Sequence, residues 1–116
     1  MPRVDRDAEV TLVVLVYRSL RWLDWMMQGV DSSQQETRYR FCVVANDATQ
    51  EVKDGLGSRD PDWIDFHAAD HNAYYIPRVY AAWREGVLCS KTQWVILANS
   101  DMMMTDHAID ELVALK

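Results

Sequence analysis

Glycine is scarce in this chain, with four in 116 residues: Gly29, Gly55, Gly57 and Gly86. They are too scattered to form the GxGxxG spacing of a dinucleotide loop or the GxxxxGK[ST] spacing of a triphosphate loop. A glycine-built phosphate cradle of either kind is therefore excluded. Basic residues are in deficit too. Twelve Lys and Arg against eighteen Asp and Glu leave a net charge of −6, which argues against a general nucleic-acid binder with its basic face. An anionic nucleotide stays open, because one bound metal ion reverses the local sign.

Cysteine is nearly absent: Cys42 and Cys89 lie far apart and belong to no short-spaced pair. That usage fits a reduced compartment, and Cys42, inside Phe41-Cys42-Val43-Val44, reads as a buried thiol. Long apolar runs are missing as well. The longest early one, Val10 to Val16 with Thr11 inside it, is too short for a bilayer. Asp5, Asp7 and Glu9 precede it, unlike the basic start of a secretory signal. No transmembrane segment is expected, and the expected location is cytoplasmic, with peripheral membrane attachment left open. No serine sits in a nucleophile elbow, and neither cysteine has an obvious activating partner.

Hydrophobic residues make up 49% of the chain. At this length a single domain over 1–116 is expected, burying roughly two-thirds of its unfolded surface. Periodicity predicts four alternating units. A strand over Glu9 to Val16 has the continuous apolar character of a strand covered on both faces. A helix capped by Ser19 follows and ends at Gly29, with Leu20, Leu23, Met26, Met27 and Val30 at helical spacing. After a polar loop, Asp31 to Arg38, comes a second strand, Tyr39 to Ala45, and a short helix, Thr49 to Leu56, closed by Gly55 and Gly57. The third strand, Trp63 to Ala68, is the weakest, and it leads to a helix over Ile76 to Gly86 with Pro77 in its first turn. The fourth strand spans Gln93 to Ala98, and a terminal helix, Thr105 to Leu115, is capped by Thr105. Trp22 and Trp25 most simply cover core.

Alternating strands and helices imply an α/β fold: a mostly parallel four-stranded sheet with right-handed crossovers and helices on both faces, three layers in all. Ligands of such sheets sit at the carboxyl ends of the strands, so the polar residues after each apolar run carry the information. The first strand ends in Tyr17-Arg18, and a tyrosine there can stack on a nucleobase or simply rim the core. The second ends in Asn46-Asp47-Ala48-Thr49, able to bind a base or ribose or to cap a helix. Near the third lie His67, Asp70 and His71, whose spacing would serve a zinc ion only on a helix. Arg78 is placed to meet a phosphate or to remain solvated. The apolar run of the fourth strand, Trp94 to Ala98, leads into Asn99-Ser100-Asp101. That triplet either caps the next helix or holds a hard cation by a carboxylate fixed at a strand tip.

In series these stations resemble the nucleotide-binding half of a GT-A glycosyltransferase of the inverting family 2. The residues that carry the likeness are Thr11 to Tyr17 with Leu20 and Leu23, then Asn46 to Thr49, then Asn99 to Asp101. The resemblance implies a Rossmann-like GT-A fold and a nucleotide-diphosphate sugar as donor. Tyr17 would line the base pocket and Asp47 would bond base or ribose. Asn99 and Arg78 would join the donor site, and Asp101 would hold Mg²⁺ or Mn²⁺ against the diphosphate. Asn46 and Ala48 stand where the family has Asp and Gly, and one carboxylate remains in the final triplet. The family's acceptor-binding half, which supplies the catalytic base, has no counterpart here. The expectation is therefore a donor-binding unit, truncated or completed by something else, with base, sugar and acceptor unspecified. The alternative is a non-catalytic α/β module that works through oligomerisation at an exposed sheet edge.

Overall fold

A computed structural model describes residues 8–59, 62–66 and 76–115. His67, Asp70 and His71, and with them the zinc reading, lie outside the described residues. The elements are β1 (Val10–Tyr17), α1 (Leu23–Ser32), β2 (Tyr39–Asn46), α2 (Gln50–Gly57), β3 (Asp62–Phe66), α3 (Ile76–Cys89), β4 (Trp94–Asn99) and α4 (Ala108–Ala114). The four strands form one sheet in the order β3-β2-β1-β4, and every pairing is parallel. This is the expected α/β, Rossmann-like, three-layer arrangement. Strand order runs outward from β1 through β2 to β3, then jumps back to place β4 on the other flank of β1. The reversal between β1 and β4 is where such sheets open a ligand crevice.

Side chains alternate across the strands and split the core in two. Leu12, Val14 and Val16 of β1 and Phe41 and Val43 of β2 face α1, α2 and α4, meeting Leu23, Met26, Val52, Leu56 and Ile109. Val13, Cys42 and Val44 point the other way and meet Ala82 of α3. Helix α3 lies across β1, β2 and β3. Gly86 permits that close approach, since a Cβ there would stand 2.4 Å from Val13 Cγ1 and 2.8 Å from Val44 Cγ2. Sequence reading ended this helix at Gly86; it runs on to Cys89 because the glycine packs against the sheet rather than closing the helix.

Other helix ends also differ from expectation. α1 starts at Leu23, with Trp22 at the N-cap and no side-chain cap bond. Ser19 instead accepts a bond from the Arg21 backbone N–H (3.1 Å) in a tight turn before the helix. Gly29 lies within α1, which runs to Ser32 and finishes where the Ser33 N–H bonds the carbonyls of Gly29 and Val30. α4 starts at Ala108 rather than Thr105, behind His107 with left-handed backbone (φ 61°). Its first-turn donor on Ile109 is satisfied from a distant loop by Gln35 Oε1 (2.9 Å), which no local cap signal predicts. Thr49 does cap α2, its hydroxyl accepting from the Val52 N–H. Trp22 and Trp25 do not cover core: both are about half exposed, packed edge to face at 6.2 Å. Among the described residues, no helix is long and apolar enough to cross a membrane.

Candidate functional site

The carboxyl ends of β1 and β4 meet in the register Leu15 to Asn99, with Tyr17 one pleat further along. A cleft of about 450 Å³ opens there, within the size range of small-ligand sites. Tyr17, Asn99, Ser100 and Asp101 line it, with Leu15 as its floor and Val79 of α3 on its flank. Three of the five predicted site residues, Tyr17, Asn99 and Asp101, thus share one concavity at the strand-order reversal.

Geometry also decides the alternative for the final triplet. α4 begins at Ala108, and Asp101 sits in the turn directly after β4, remote from that N-terminus. Asp101 does not cap the helix. Its side chain is exposed at the cleft rim, available to a ligand.

Asp47 is placed differently. It is 7% exposed, adopts φ 53°, and lines neither of the clefts at this end of the sheet. Thr49 rather than Asp47 caps α2. The Asp47 carboxylate stands 3.6 Å from the Arg18 guanidinium, which also reaches back over the Tyr17 ring (5.9 Å). Arg18 has left-handed backbone as well, φ 53°. Non-glycine residues at positive φ are uncommon and carry strain of order 1–3 kcal/mol, which concentrates at functional turns. Adjacent strand tips carrying the same turn bring Arg18 and Asp47 together, so the Asp47 carboxylate faces Arg18 rather than either cleft.

Arg18, Ser19, Arg21 and Trp22, which the sequence did not single out, also line the clefts at this end of the sheet. A second cleft of about 430 Å³ lies between the β1 tip and the start of α2, lined by Arg18, Ser19, Arg21 and Glu51. Ser19 and Arg21 border both clefts, so the two adjoin across the end of β1. The Arg21 guanidinium lies 4.7 Å from the Trp22 ring centroid, a cation held on an aromatic face. The hint in the sequence was basic residues alternating with aromatics in Tyr17-Arg18-Ser19-Leu20-Arg21-Trp22. Arg78 lies in the first turn of α3 at the same end of the sheet; its side chain is outside the described residues.

The far end of the loop that carries Asp101 is anchored at the start of α4, against the loop that leads into β2. Asp110 accepts bonds from the backbone N–H groups of Glu36 (2.9 Å) and Thr37 (2.7 Å) and faces His107 Nδ1 at 2.9 Å. The Glu36 N–H above all, then Thr37 and His107, hold the Asp110 carboxyl well below the usual carboxylate range. Asp110 in turn raises the His107 imidazole above its ordinary value. Gln34 N–H donates to Asp106 (2.8 Å), and Gln35 Nε2 donates to the Thr105 carbonyl (2.8 Å).

Among the described residues, no group of three or more His, Cys, Asp or Glu gathers to ligate a metal. Asp101 offers one carboxylate beside Asn99 and Ser100. That set fits an ion such as Mg²⁺, which keeps its waters and takes one carboxylate plus substrate phosphate oxygens, and it does not fit a cage built from protein alone. No protein-family model matches the chain, and no curated protein matches it.

Proposed function

We propose that this chain binds a nucleotide-diphosphate sugar together with Mg²⁺ or Mn²⁺ and serves glycosyl transfer as a donor-binding unit. The observation that carries the reading is the meeting of Tyr17, Asn99 and Asp101 in one cleft at the strand-order reversal. Tyr17 offers a half-buried ring for stacking a base. Arg21, and Arg18 steadied by Asp47, bring positive charge to the phosphates. Asp101 would hold the cation, and the cation supplies charge neutralisation to a departing nucleoside diphosphate. Asn99, at the strand tip, offers an amide for hydrogen bonds to the ribose or diphosphate. No base for an acceptor hydroxyl is assigned.

A thermal-shift panel tests the reading. Uridine or guanosine diphosphate with Mn²⁺ should raise the melting temperature; ligand at a hundredfold over Kd contributes about 2.7 kcal/mol. Asp101→Ala should remove the metal-dependent part of the shift. Absence of binding by any nucleoside diphosphate below about millimolar, roughly 4 kcal/mol of affinity, defeats the reading.

One observation favours a second reading, a module acting through self-association. Among the described residues β4 is an edge strand, and Leu97 on it is 49% exposed. An unpaired apolar edge invites strand addition by a second copy. A strict monomer in sedimentation analysis that binds nucleotide removes this alternative.

A further inference from the structure

At the opposite, amino end of the sheet lies a cavity of about 500 Å³ that the donor-site reading leaves unused. Both cysteines of the chain line it, with Arg40, Asp62 and Lys91 among its walls. Cys42 is buried at 3% exposure, Cys89 is exposed, and both are free thiols. They reach the same cavity from different layers, Cys42 from the α3 face of β2 and Cys89 from the last position of α3.

The packing of Gly86 explains how a helix and a strand bring these thiols together. Gly86 rests on Val13 and Val44 more closely than any other residue could. Cys89 follows it by three residues, about 4.5 Å along the helix toward the amino end of the sheet. Cys42 precedes Val44 by two residues on the same face of β2, about 6.6 Å in the same direction. Both displacements run toward the amino end of the sheet, which sets Cys89 and Cys42 on the wall of one cavity. A disulfide needs Cα atoms within about 7 Å, and a helix seated on its glycine is what allows that approach. Burial, reinforced by the neighbouring Cys89 sulfur, pushes the Cys42 thiol up to about 11.

We propose that Cys89 and Cys42 form a thiol–disulfide exchange site for a small anionic disulfide of the glutathione type. Cys89 is the accessible thiol, and the exposed Lys91 two residues on attracts a carboxylate of the incoming molecule, Arg40 being paired with Asp62 across the cavity wall. The deprotonated Cys89 sulfur attacks one sulfur of the small disulfide. That S–S bond breaks, one small thiol leaves with a proton, and a mixed disulfide remains on Cys89. Cys42 then gives up its proton and attacks Cys89 Sγ, releasing the second small thiol and closing the Cys42–Cys89 bond. The protein loses two electrons and two protons, and the reagent gains both as two thiols. Cys42 stays inert until Cys89 brings a disulfide to it, and the product staples the end of α3 to β2. This site is separate from the donor cleft and stands whether or not nucleotides bind.

The reduced full chain, incubated with oxidised glutathione, alkylated and weighed intact, provides the test. The wild type should lose two hydrogens without a lasting adduct, and peptide mapping should find Cys42 linked to Cys89. Cys42→Ala should stall as a glutathione adduct on Cys89, while Cys89→Ala should stay unmodified. A wild type that accumulates the Cys89 adduct with Cys42 still alkylatable after unfolding overturns the proposal. So does a dimer joined through two Cys89 residues, or no reaction at either thiol. The wild-type mass alone decides between these outcomes, so the test holds even where Cys42→Ala folds poorly.

Discussion

The two faces of this sheet are built to different standards. Three helices close one face, where Leu12, Val14, Phe41 and Val43 are fully shielded from water. A single described helix covers the other, and shielding fades across it from Val13 and Val44 at the centre to half-exposed Leu97 on β4. Leu97 pairs directly with Val13, so the difference between them is cover and not register. The cleft that gathers Tyr17, Asn99 and Asp101 opens beside Leu15 and Val79, on the thinly covered side. Stability is thus concentrated on one face, and room for a ligand or partner is left on the other.

Truncation on each face gives the largest contrast. Phe41→Ala should cost about 3–5 kcal/mol in urea unfolding, as for a large, fully shielded ring. Leu97→Ala should stay within about 0.5 kcal/mol, because much of that side chain already meets water. A Leu97→Ala cost approaching that of Phe41→Ala would break the comparison and show that this face is covered in solution, as self-association through β4 requires. Next in size is the helix seat. Gly86→Ala should destabilise by roughly 1–3 kcal/mol, since the new methyl overlaps two stiff valines. Alanine's helix propensity, about 1 kcal/mol in its favour, offsets part of that. A stabilised Gly86→Ala would mean that α3 rides higher on the sheet than its contacts with Val13 and Val44 indicate.

These contrasts bear on what the amino-acid sequence discloses. The four strand–helix units and the strand-end stations were legible because buried parallel strands are written as unbroken apolar runs ended by polar tips, as in Val10 to Tyr17 and Trp94 to Asn99. Helix ends were less legible. Gly29 and Gly86 look like stop signals locally, yet both lie inside helices, and Gly86 is there for contact with Val13. Ile109 takes its cap from Gln35, a partner no local pattern reveals. Of the residues that line the two clefts, Tyr17, Asn99 and Asp101 could be found from strand tips alone. Arg18 could not, because its importance comes from a left-handed turn matched by the one at Asp47 on the neighbouring strand.

The anchor at the start of α4 predicts a smaller, pH-dependent effect. Asp110 is held below its ordinary value of 3.8, so its contribution is present above about pH 4 and is lost as pH falls further. His107 is raised above its ordinary 6.5, so its contribution is full below that pH and is lost as pH rises through the higher folded-state value. Between these limits both partners are charged in the folded chain. The melting temperature should therefore decline on the alkaline side in the wild type, and His107→Gln should flatten that decline. Asp110→Asn should flatten the acid side too and lower the melting temperature near pH 5. If the His107→Gln profile keeps the wild-type alkaline slope, another group drives it, and the loop carrying Asp101 is not secured by this pair.

The smallest expected change in stability is the most informative about the cleft. Asp101 is exposed in the turn after β4 and caps no helix. Asp101→Asn keeps the shape and removes only the charge, so unfolding free energy should move by less than about 0.5 kcal/mol. The same substitution should cancel the Mn²⁺-dependent rise in melting temperature with a nucleoside diphosphate while leaving any metal-free nucleotide shift in place. That residual shift would measure what Tyr17, Arg18 and Arg21 contribute without a cation. Asp101→Asn that destabilises the chain by a kilocalorie or more would place the carboxylate in the fold's own support. An unchanged metal-dependent shift would move the cation elsewhere. Either result would detach the strand-tip aspartate from cation binding, and only a chain that shows no nucleotide shift at all would leave the thin face to a protein partner rather than to a nucleotide.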